Sequence, residues 1–351
     1  MQCTSSKKML WRVLLPGMLA VALILLIGLD LWKSQRESAF EQSGLAMGTV
    51  VTAQLYGPGG EEAAETIFSA IKTLEAHRLS WRLPSSDIAR VNAAAGTGVP
   101  VDPQTIGYLQ QAAEVSKKSG GAFDCTTGQL TQLWDIGGEN ARVPAQAEIN
   151  AALQTVGYQN VRLQGGQAAI AKGQSLDLGA IGKGIACDEI VPILEQSHLS
   201  GAVISVGGSI LLWGQRPGGG DWKIGVRDPR GEASDQLGSF SLSEGYVSTS
   251  GDYERTLTVN GQTYHHILNP KTGYPADAGL ISVTVTAPTG LLSDALSTAC
   301  FVLGYQDSLP LLKEFHAEAI FVTQERAVLV TEGLRQSFTL TNGDYHLVDA
   351  G

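Results

Sequence analysis

The segment that most constrains the fold of this chain spans residues 176–188 and reads LDLGAIGKGIACD. A short apolar run ends in an acid, and a glycine-rich turn then leads into a second apolar pattern, which predicts a strand, a tight turn and a helix beginning near Lys183. Glycines permit close backbone approach, and a helix start offers free N–H groups, here beside one cation. These are the requirements of an anion or phosphate site. A joint with a purely architectural role has the same composition, so other motifs decide between the two interpretations.

Hydrophobic patterning predicts an α+β domain with mixed, mostly antiparallel sheets and packed helices. Helical spacing covers residues 61–77, 103–118, 145–155, 291–303 and 307–315. Strands are expected at 44–56, near 161 and 170, and at 202–206, 209–214, 222–227, 238–242, 246–248, 255–259, 263–267 and 280–286. Two or three further strands close the chain.

The N-terminus predicts a membrane anchor. Lys7, Lys8 and Arg12 precede an apolar run from Val13 to Leu29 that is just long enough to span a bilayer. Basic residues before such a run predict that the N-terminus stays inside and the remainder is exported. A cleaved signal peptide is the alternative, although no small-residue cleavage pattern follows closely. We therefore expect a cytoplasmic N-terminus at 1–12, a transmembrane anchor at 13–32, a linker at 33–43 and one folded domain at 44–351.

The charge argues against nucleic-acid binding, and the cysteine spacing argues against a cysteine-ligated metal site. The formal net charge is −10 at pH 7, and no Lys/Arg cluster follows the first dozen residues, so nucleic acid is not an expected partner. The four cysteines, at positions 3, 125, 187 and 300, show no metal-ligand spacing. With Cys3 on the cytoplasmic side, the exported part has an odd number, so at least one is unpaired. Cys187 and Cys300 lie in apolar helical patterns and are expected to be buried.

The standard nucleotide-binding motifs are absent. The run GAIGKG lacks the spacer and the Ser/Thr of a Walker loop, and no GxGxxG follows a strand. On the predicted helix at 291–303, however, Asp294 and Thr298 lie four residues apart and project from one face. Two oxygen ligands suit a hard cation such as Mg²⁺. The same residues, with Ser293, could instead form a helix cap and a back-bond within the helix.

Two further residues are candidates for contact with a ligand. His265 and His266 are neighbours at the end of a predicted strand, so one of them faces inward, and His266 is a candidate base or substrate contact. A capped turn without catalytic role is the alternative. Trp81 offers an aromatic platform for a planar ligand, or is part of the core.

In their order along the chain, these segments resemble the ApbE-type FAD:protein FMN transferases. The resemblance runs from Met47 to about Gly304. It is carried by MGT at 47–49, GGAFDCTTGQLTQLW at 120–134, LDLGAIGKGIACD at 176–188, VISVGGSILLWG at 203–214, VSTSGDYER at 247–255, YHHILNPKTGYP at 264–275 and SDALSTA at 293–299. No single motif is specific, whereas their number and order are.

The resemblance implies a FAD site and a Mg²⁺ site. The implied FAD contacts are Met47, Trp81, Ala122, Phe123, Asp124, Asp177, Lys183, Thr249, Ser250, Gly251, His266 and Ile267, of which His266 and Ile267 would approach the reacting diphosphate. The implied Mg²⁺ ligands are the backbone carbonyl of Ala180 and the side chains of Asp294 and Thr298, with help from Ser297. The predicted catalytic residues are His266, Lys183 and Asp294.

Three positions depart from the family pattern. Trp81 stands where tyrosine is more usual, so the residue keeps a stacking face but loses a hydroxyl. Ser209 replaces a frequent Asp, and Asn269 replaces another before Pro270. The second replacement removes a charge near the site and makes Asn269 a poor general base.

The resemblance also implies the reaction. A Thr or Ser hydroxyl of a target protein attacks the phosphorus on the FMN side of FAD, giving ester-linked FMN and AMP. Expected acceptors are subunits of membrane or exported redox proteins, met by a catalytic domain on the periplasmic side of a bacterial inner membrane. Two alternatives are a FAD pyrophosphatase, in which water replaces the protein hydroxyl, and a flavin-binding module without turnover.

Overall fold

A computed structural model describes residues 39–348. The predicted cytoplasmic N-terminus and membrane anchor, together with most of the predicted linker, lie outside the described residues. Among the described residues, no helix combines the length and the apolar composition that a bilayer crossing requires.

One nine-stranded sheet organises the domain. Its strands, in order across the sheet, are β1 (Ala39–Ala46), β2 (Thr49–Tyr56), β6 (Gly201–Val206), β7 (Ser209–Gly214), β10 (Gly245–Gly251), β13 (Leu280–Ala287), β14 (Glu318–Thr323), β15 (Ala327–Val330) and β17 (His346–Val348). Every neighbouring pair is antiparallel except β15 and β17.

Three smaller sheets accompany the large one. The first contains β3 (Val99–Pro100), β5 (Gln167–Ala169) and β4 (Arg162–Gln164), and the second contains β16 (Thr339–Leu340), β9 (Gln236–Leu242) and β8 (Trp222–Arg227). The third is the hairpin of β11 (Thr256–Val259) and β12 (Gln262–His265).

The α-helices of the described chain are α1 (Gly60–Leu74), α2 (Asp87–Ala93), α3 (Pro103–Lys118), α4 (Gly128–Trp134), α5 (Gln146–Leu153), α6 (Gly182–Gln196), α7 (Gly290–Leu303), α8 (Tyr305–Glu314) and α9 (Glu332–Arg335). A π-helical turn at Glu75–Leu79 continues α1, and a 3₁₀ turn lies at Tyr158–Asn160.

The large sheet is buried on both faces along its middle strands. The main core lies between one face and helices that include α1, α6 and α7. A second core lies against β8 and β9, which contribute Trp222 and Phe240. Strand β13 has a register shift between Leu280 and Ser282. Ile281 therefore faces the second core, although Val283, two residues later, enters the first.

Helices α6 and α7 approach each other without side chains between them. A Cβ added to Gly184 would lie 2.0 Å from the carbonyl oxygen of Gly290, and one added to Gly290 would lie 2.2 Å from the carbonyl oxygen of Gly184. Such distances are accessible only to glycine. The two helices therefore make backbone contact near their N-terminal ends.

The structure confirms the predicted α+β class and most predicted elements. It also confirms the cysteine predictions within residues 39–348, where Cys125, Cys187 and Cys300 are free and buried. The strand predicted at 44–56 is wrong, since β1 and β2 are separated there by a turn. Met47 and Gly48 both adopt positive φ, 53° and 67°, and a turn of this kind matches the twist of an antiparallel hairpin.

Two other boundaries differ from the sequence predictions. The linker predicted at 33–43 is wrong from Ala39 onward, because these residues form edge strand β1 and Phe40 packs against the main core. The alternating exposure of an edge strand leaves polar residues such as Glu41 and Ser43 exposed, which gives the segment a linker-like composition. The C-terminal part contains four strands, β14 to β17, rather than two or three.

Gly184→Ala is expected to destabilise the domain by about 1–3 kcal/mol, the usual cost of overpacking a filled position. The added methyl group must displace the Gly290 carbonyl or separate α6 from α7. Gly107→Ala in α3 is the matched control, because a Cβ at Gly107 meets nothing within 4 Å and alanine is favoured over glycine inside a helix by roughly 0.5–1 kcal/mol. Urea unfolding of both variants measures the difference. Equal stability would show that the helix contact tolerates a side chain.

Candidate active site

A carboxylate from α7 holds the start of α6. Asp294 is 2% exposed, and its Oδ2 accepts a hydrogen bond of 3.0 Å from the backbone N–H of Gly184. The Nζ atom of Lys183 lies 3.1 Å from Oδ1 and 3.2 Å from Oδ2 of the same carboxylate. The first N–H groups of a helix have no partner within it, so Asp294 caps α6 from the neighbouring helix.

A second carboxylate makes the reverse contact. Asp188 of α6 accepts hydrogen bonds from the backbone N–H groups of Gly290 at 2.7 Å and Leu291 at 2.8 Å, at the start of α7. Burial raises the pKa of Asp188, and these two hydrogen bonds oppose the rise. Each helix therefore caps the other beside the contact of Gly184 and Gly290, which fixes the position of α7 relative to the glycine-rich turn.

The turn before α6 is tied at several points. Asp177 accepts a hydrogen bond of 2.8 Å from the N–H of Gly179, and its own N–H donates to the carbonyl of Cys125 at 2.8 Å. Lys183 donates to the carbonyl of Gly179 at 3.4 Å. Ala180 lies half-buried in this turn. The structure thus brings the predicted turn, the cation and the carboxylate of Asp294 together.

Hydroxyl groups connect β10 to the same region of α7. The Oγ of Ser250 lies 2.8 Å from the Oγ of Ser297 and 3.4 Å from the Oγ1 of Thr298. Ser297 also donates to the backbone carbonyl of Asp294 at 2.9 Å. Three hydroxyls therefore lie on and beside the helical turn that follows Asp294.

A second group of hydroxyls lies deeper between the same elements. Ser248 of β10 lies 2.8 Å from Ser293 and donates to Ser209 at 3.0 Å, and all three residues are buried. Ser209 is the position at which an Asp is frequent in the family pattern. In this chain the position needs no charge, because Ser209 only accepts a hydrogen bond from another hydroxyl, that of Ser248.

The two other residues predicted beside Ser250 are placed differently. Thr249 follows the alternation of β10, and its Oγ1 lies 2.9 Å from the Oγ1 of Thr284 on the opposite face of the sheet. Gly251 is buried, and a Cβ there would lie 2.4 Å from the ring of Tyr253. The structure therefore brings only the side chain of Ser250 to the cluster around Asp294.

The loop at 120–127 contains three of the FAD contacts that the resemblance implies, and all three are buried. Ala122 and Phe123 belong to the buried core, and the carboxylate of Asp124 accepts hydrogen bonds from the N–H and Oγ1 of Thr126 and from the N–H of Tyr158. Burial raises the pKa of Asp124, and these hydrogen bonds oppose the rise. The Asp124 side chain thus fixes the shape of the loop.

Met47 connects the β1–β2 turn to α6. Its N–H donates to Oε2 of Glu75 at 2.8 Å, and its Cε lies 3.2 Å from the Cβ position of Gly182. Trp81 is half-buried, and the guanidinium of Arg82 lies 4.0 Å above its ring. Met47 therefore reaches the start of α6, whereas one face of Trp81 is covered by its neighbour.

The two neighbouring histidines face in different directions. His265 packs edge-on against Phe301, and its Nε2 lies 2.9 Å from the carbonyl of Ala276. The Nδ1 of His266 is buried without a hydrogen-bond partner among the described residues. Burial, together with the positive charges of Arg255 and Lys183, lowers the pKa of His266 to about 3. His266 is therefore neutral at pH 7.

Two residues that follow His266 have structural roles. Ile267 is buried, and its carbonyl accepts a hydrogen bond from Ala276 at 2.9 Å. Asn269 accepts a hydrogen bond from the N–H of Lys271 at 2.9 Å, which closes the turn after the strand. The amide of Asn269 supports this turn without a charge.

The sequence did not assign roles to three residues that shape the site. Asp188 had no local signal, since the N–H groups that it caps lie more than 100 residues away. Glu75 lies in the π-helical turn after α1, where its carboxylate holds Met47. Arg255 lies within a motif quoted above, but its position beside His266 emerges only from strand pairing.

Comparison with known proteins identifies one family that this chain matches. The sequence profile of the ApbE family matches residues 47–321. A FAD:protein FMN transferase of Treponema pallidum is 35% identical over 321 residues, which cover 85% of this chain and 88% of the relative. A Klebsiella pneumoniae protein of the same name is 32% identical over 315 residues, covering 88% of this chain and 97% of the relative.

Solved structures show the same similarity. A crystal structure of an ApbE protein from Thermotoga maritima matches with a TM-score of 0.80 and 34% identity, covering 86% of this chain and 99% of that chain. The flavinyl transferase ApbE of Pseudomonas stutzeri, in its apo form, matches with a TM-score of 0.73 and 28% identity, covering 84% and 95%.

His266→Gln is expected to make the domain less sensitive to acid. The ordinary pKa of histidine is 6.5 and that of folded His266 is about 3, so the unfolded chain binds more protons between these values and stability falls as the pH falls. The variant lacks this contribution and loses less free energy of unfolding between about pH 7 and pH 5. Urea unfolding at both pH values measures the loss.

The exposed His198 provides the control for this measurement. His198→Gln removes an imidazole at the surface and so controls for the loss of a histidine side chain as such. If His266→Gln and the wild type lose the same stability, the neutral, buried state of His266 is contradicted.

Proposed function

This chain belongs to the ApbE family, and we propose that it transfers the FMN part of FAD to a hydroxyl group of a target protein. Its curated relatives carry the name FAD:protein FMN transferase. The observation that carries the proposal is the ion pair of Lys183 and Asp294 at the glycine-rich start of α6. A helix N-terminus with an adjacent cation and nearby oxygen donors suits a diphosphate and its developing charge.

The site residues also suit Mg²⁺. The described residues contain no group of three or more His, Cys, Asp and Glu side chains that could hold a metal ion, so a metal here requires neutral oxygens beside one carboxylate. Asp294, the hydroxyls of Thr298 and Ser297, and the carbonyl of Ala180 are such a set. Mg²⁺ takes one or two carboxylates and leaves other positions to phosphate and water. When bound, it supplies positive charge to the diphosphate.

Asp294 has capacity for such a ligand. A carboxylate has about four lone-pair positions, and the N–H of Gly184 and the ammonium of Lys183 do not fill them. A hydroxyl group can accept as well as donate a hydrogen bond. The hydroxyls of Ser297 and Thr298 can therefore rotate so that their lone pairs point toward a cation and not toward Ser250. The donor set is therefore compatible with the ion that the family pattern implies.

The transfer forms one bond and breaks one. The acceptor hydroxyl oxygen bonds to the phosphorus of the FMN half, the bond from that phosphorus to the bridging oxygen breaks, and AMP leaves with the bridging oxygen. Lys183 offsets negative charge that accumulates on the phosphates. His266, neutral at pH 7, presents a ring nitrogen that can take the hydroxyl proton. Because its pKa is low, it holds that proton only briefly.

We further propose that the acceptor is a subunit of a membrane or exported redox protein and that the domain acts on the periplasmic side of the inner membrane. The support is the sequence, in which Lys7, Lys8 and Arg12 precede the apolar run that begins at Val13. Mass spectrometry of the membrane-fraction protein is expected to find residues 13–32 retained. A mature protein that begins after this run would show cleavage instead.

Asp294→Asn is expected to lower the rate of flavin transfer by about 10²-fold or more, because it removes the charge that holds Lys183 and suits a cation. The assay supplies the purified domain with FAD, Mg²⁺ and a threonine-containing flavin-acceptor domain, and reads in-gel flavin fluorescence. Asp307→Asn, at an exposed position of α8, is the control and should label at the wild-type rate. Thermal unfolding checks that Asp294→Asn remains folded.

Each other result of this assay has a defined meaning. Equal labelling by Asp294→Asn and the wild type would overturn the assigned role of Asp294. AMP release without acceptor, as fast as with it, would make the protein a FAD pyrophosphatase. FAD binding without AMP release under any condition would make it a flavin-binding module.

A further inference from the structure

We propose that Arg255 binds the phosphate group that leaves with AMP, as a cation of the site in addition to Lys183. This inference rests on the proposed function, since it names a ligand of the same site. It is carried by the direction in which the Arg255 side chain projects, by the groups around it and by its lack of a carboxylate partner.

Strand pairing places Arg255 beside His266. In the hairpin of β11 and β12, Thr256 lies opposite His265. One position further, the N–H of His266 donates to the carbonyl of Arg255 at 3.1 Å, so these two residues lie opposite each other. Residues directly opposite in an antiparallel pair project from the same face. Arg255 therefore projects with His266, on the side opposite to His265.

The side chain of Arg255 lies close to two loops. Its Nη2 is 3.9 Å from the Cβ position of Gly48, in the turn that contains Met47, and the Cδ of Arg255 is 3.3 Å from the Cβ position of Gly137. A Cβ at position 137 would crowd the arginine, whereas one at position 48 would be in ordinary van der Waals contact with it. The charge of Arg255 also acts on His266, whose pKa it lowers.

Arg255 forms no ion pair within residues 39–348. Its neighbours differ in this respect, since Arg227 lies 3.5 Å from Glu254 and Arg230 lies 2.7 Å from Asp252. Lys183 is likewise paired with Asp294. Among the described residues Arg255 therefore has no carboxylate within ion-pair distance. It is exposed to solvent and lies beside His266, whose Nδ1 has no hydrogen-bond partner among these residues.

The reaction creates a need for such a cation. In FAD each phosphate carries one negative charge, whereas after transfer the FMN ester keeps one and the AMP phosphate gains a second as the hydroxyl proton departs. The additional charge appears on the bridging oxygen as its bond breaks. A guanidinium forms two parallel, charge-assisted hydrogen bonds to a phosphate. Because this interaction strengthens as the reaction proceeds, it should act on kcat more than on KM.

Arg255→Gln is expected to lower kcat for acceptor labelling by about 10²-fold, with a smaller change in KM for FAD. Arg255→Lys should recover part of this loss, because it restores the charge without the planar guanidinium. Arg142→Gln is the matched control, since Arg142 is exposed and already paired with Glu148. That variant should keep the wild-type rate.

Binding of the product provides a readout that does not depend on turnover. Isothermal titration with AMP should show affinity weakened by about tenfold or more in Arg255→Gln, the usual value of a charge-assisted hydrogen bond. Adenosine, which lacks the phosphate, should bind the variant and the wild type equally. A loss confined to AMP assigns Arg255 to the phosphate.

The two experiments separate this inference from the proposed function. If the wild type labels the acceptor, and Arg255→Gln matches it in both rate and AMP affinity, the inference is overturned while the proposed function stands. Equal weakening of AMP and adenosine also overturns it, because Arg255 then only shapes the site. If the wild type fails to label any acceptor, the proposed function fails, and the comparison of AMP with adenosine still decides whether Arg255 binds phosphate.

Discussion

Two helices that cap each other hold the candidate site together. Asp294 of α7 accepts the N–H of Gly184 at the start of α6, and Asp188 of α6 accepts the N–H of Gly290 at the start of α7. Both carboxylates lie where the helix dipole is positive, so each stabilises the other helix. Sliding one helix along the other would break both caps. Because Gly184 and Gly290 have no side chains, the backbones of the two helices are in direct contact at this point.

This arrangement also explains how a buried carboxylate and a cation coexist at the start of α6. Asp294 is almost completely buried, and a buried carboxylate without partners would be strongly destabilising. The N–H of Gly184 and the ammonium of Lys183 compensate its charge. The same ion pair therefore stabilises the fold and keeps a cation available for the reaction.

The range of each interaction decides how much of the structure the sequence could predict. The helix near Lys183 and the shared face of Asp294 and Thr298 follow from helical period alone, and both predictions were correct. The turn at Met47 was missed, because apolar alternation continues through both strands and only a positive φ separates them. The side-chain direction of Thr249 could not follow from a motif, and the role of Asp188 depends on a partner in another helix.

In the proposed reaction, the positive charge near His266 is expected to act together with the bound substrate on proton transfer. Burial lowers the pKa of His266 most, and the positive charges of Arg255 and Lys183 lower it further even though Lys183 is paired. A bound diphosphate is an anion, and an anion near a histidine favours the protonated form and raises its pKa. In the proposed reaction, His266 is therefore expected to be a better base when the diphosphate is bound.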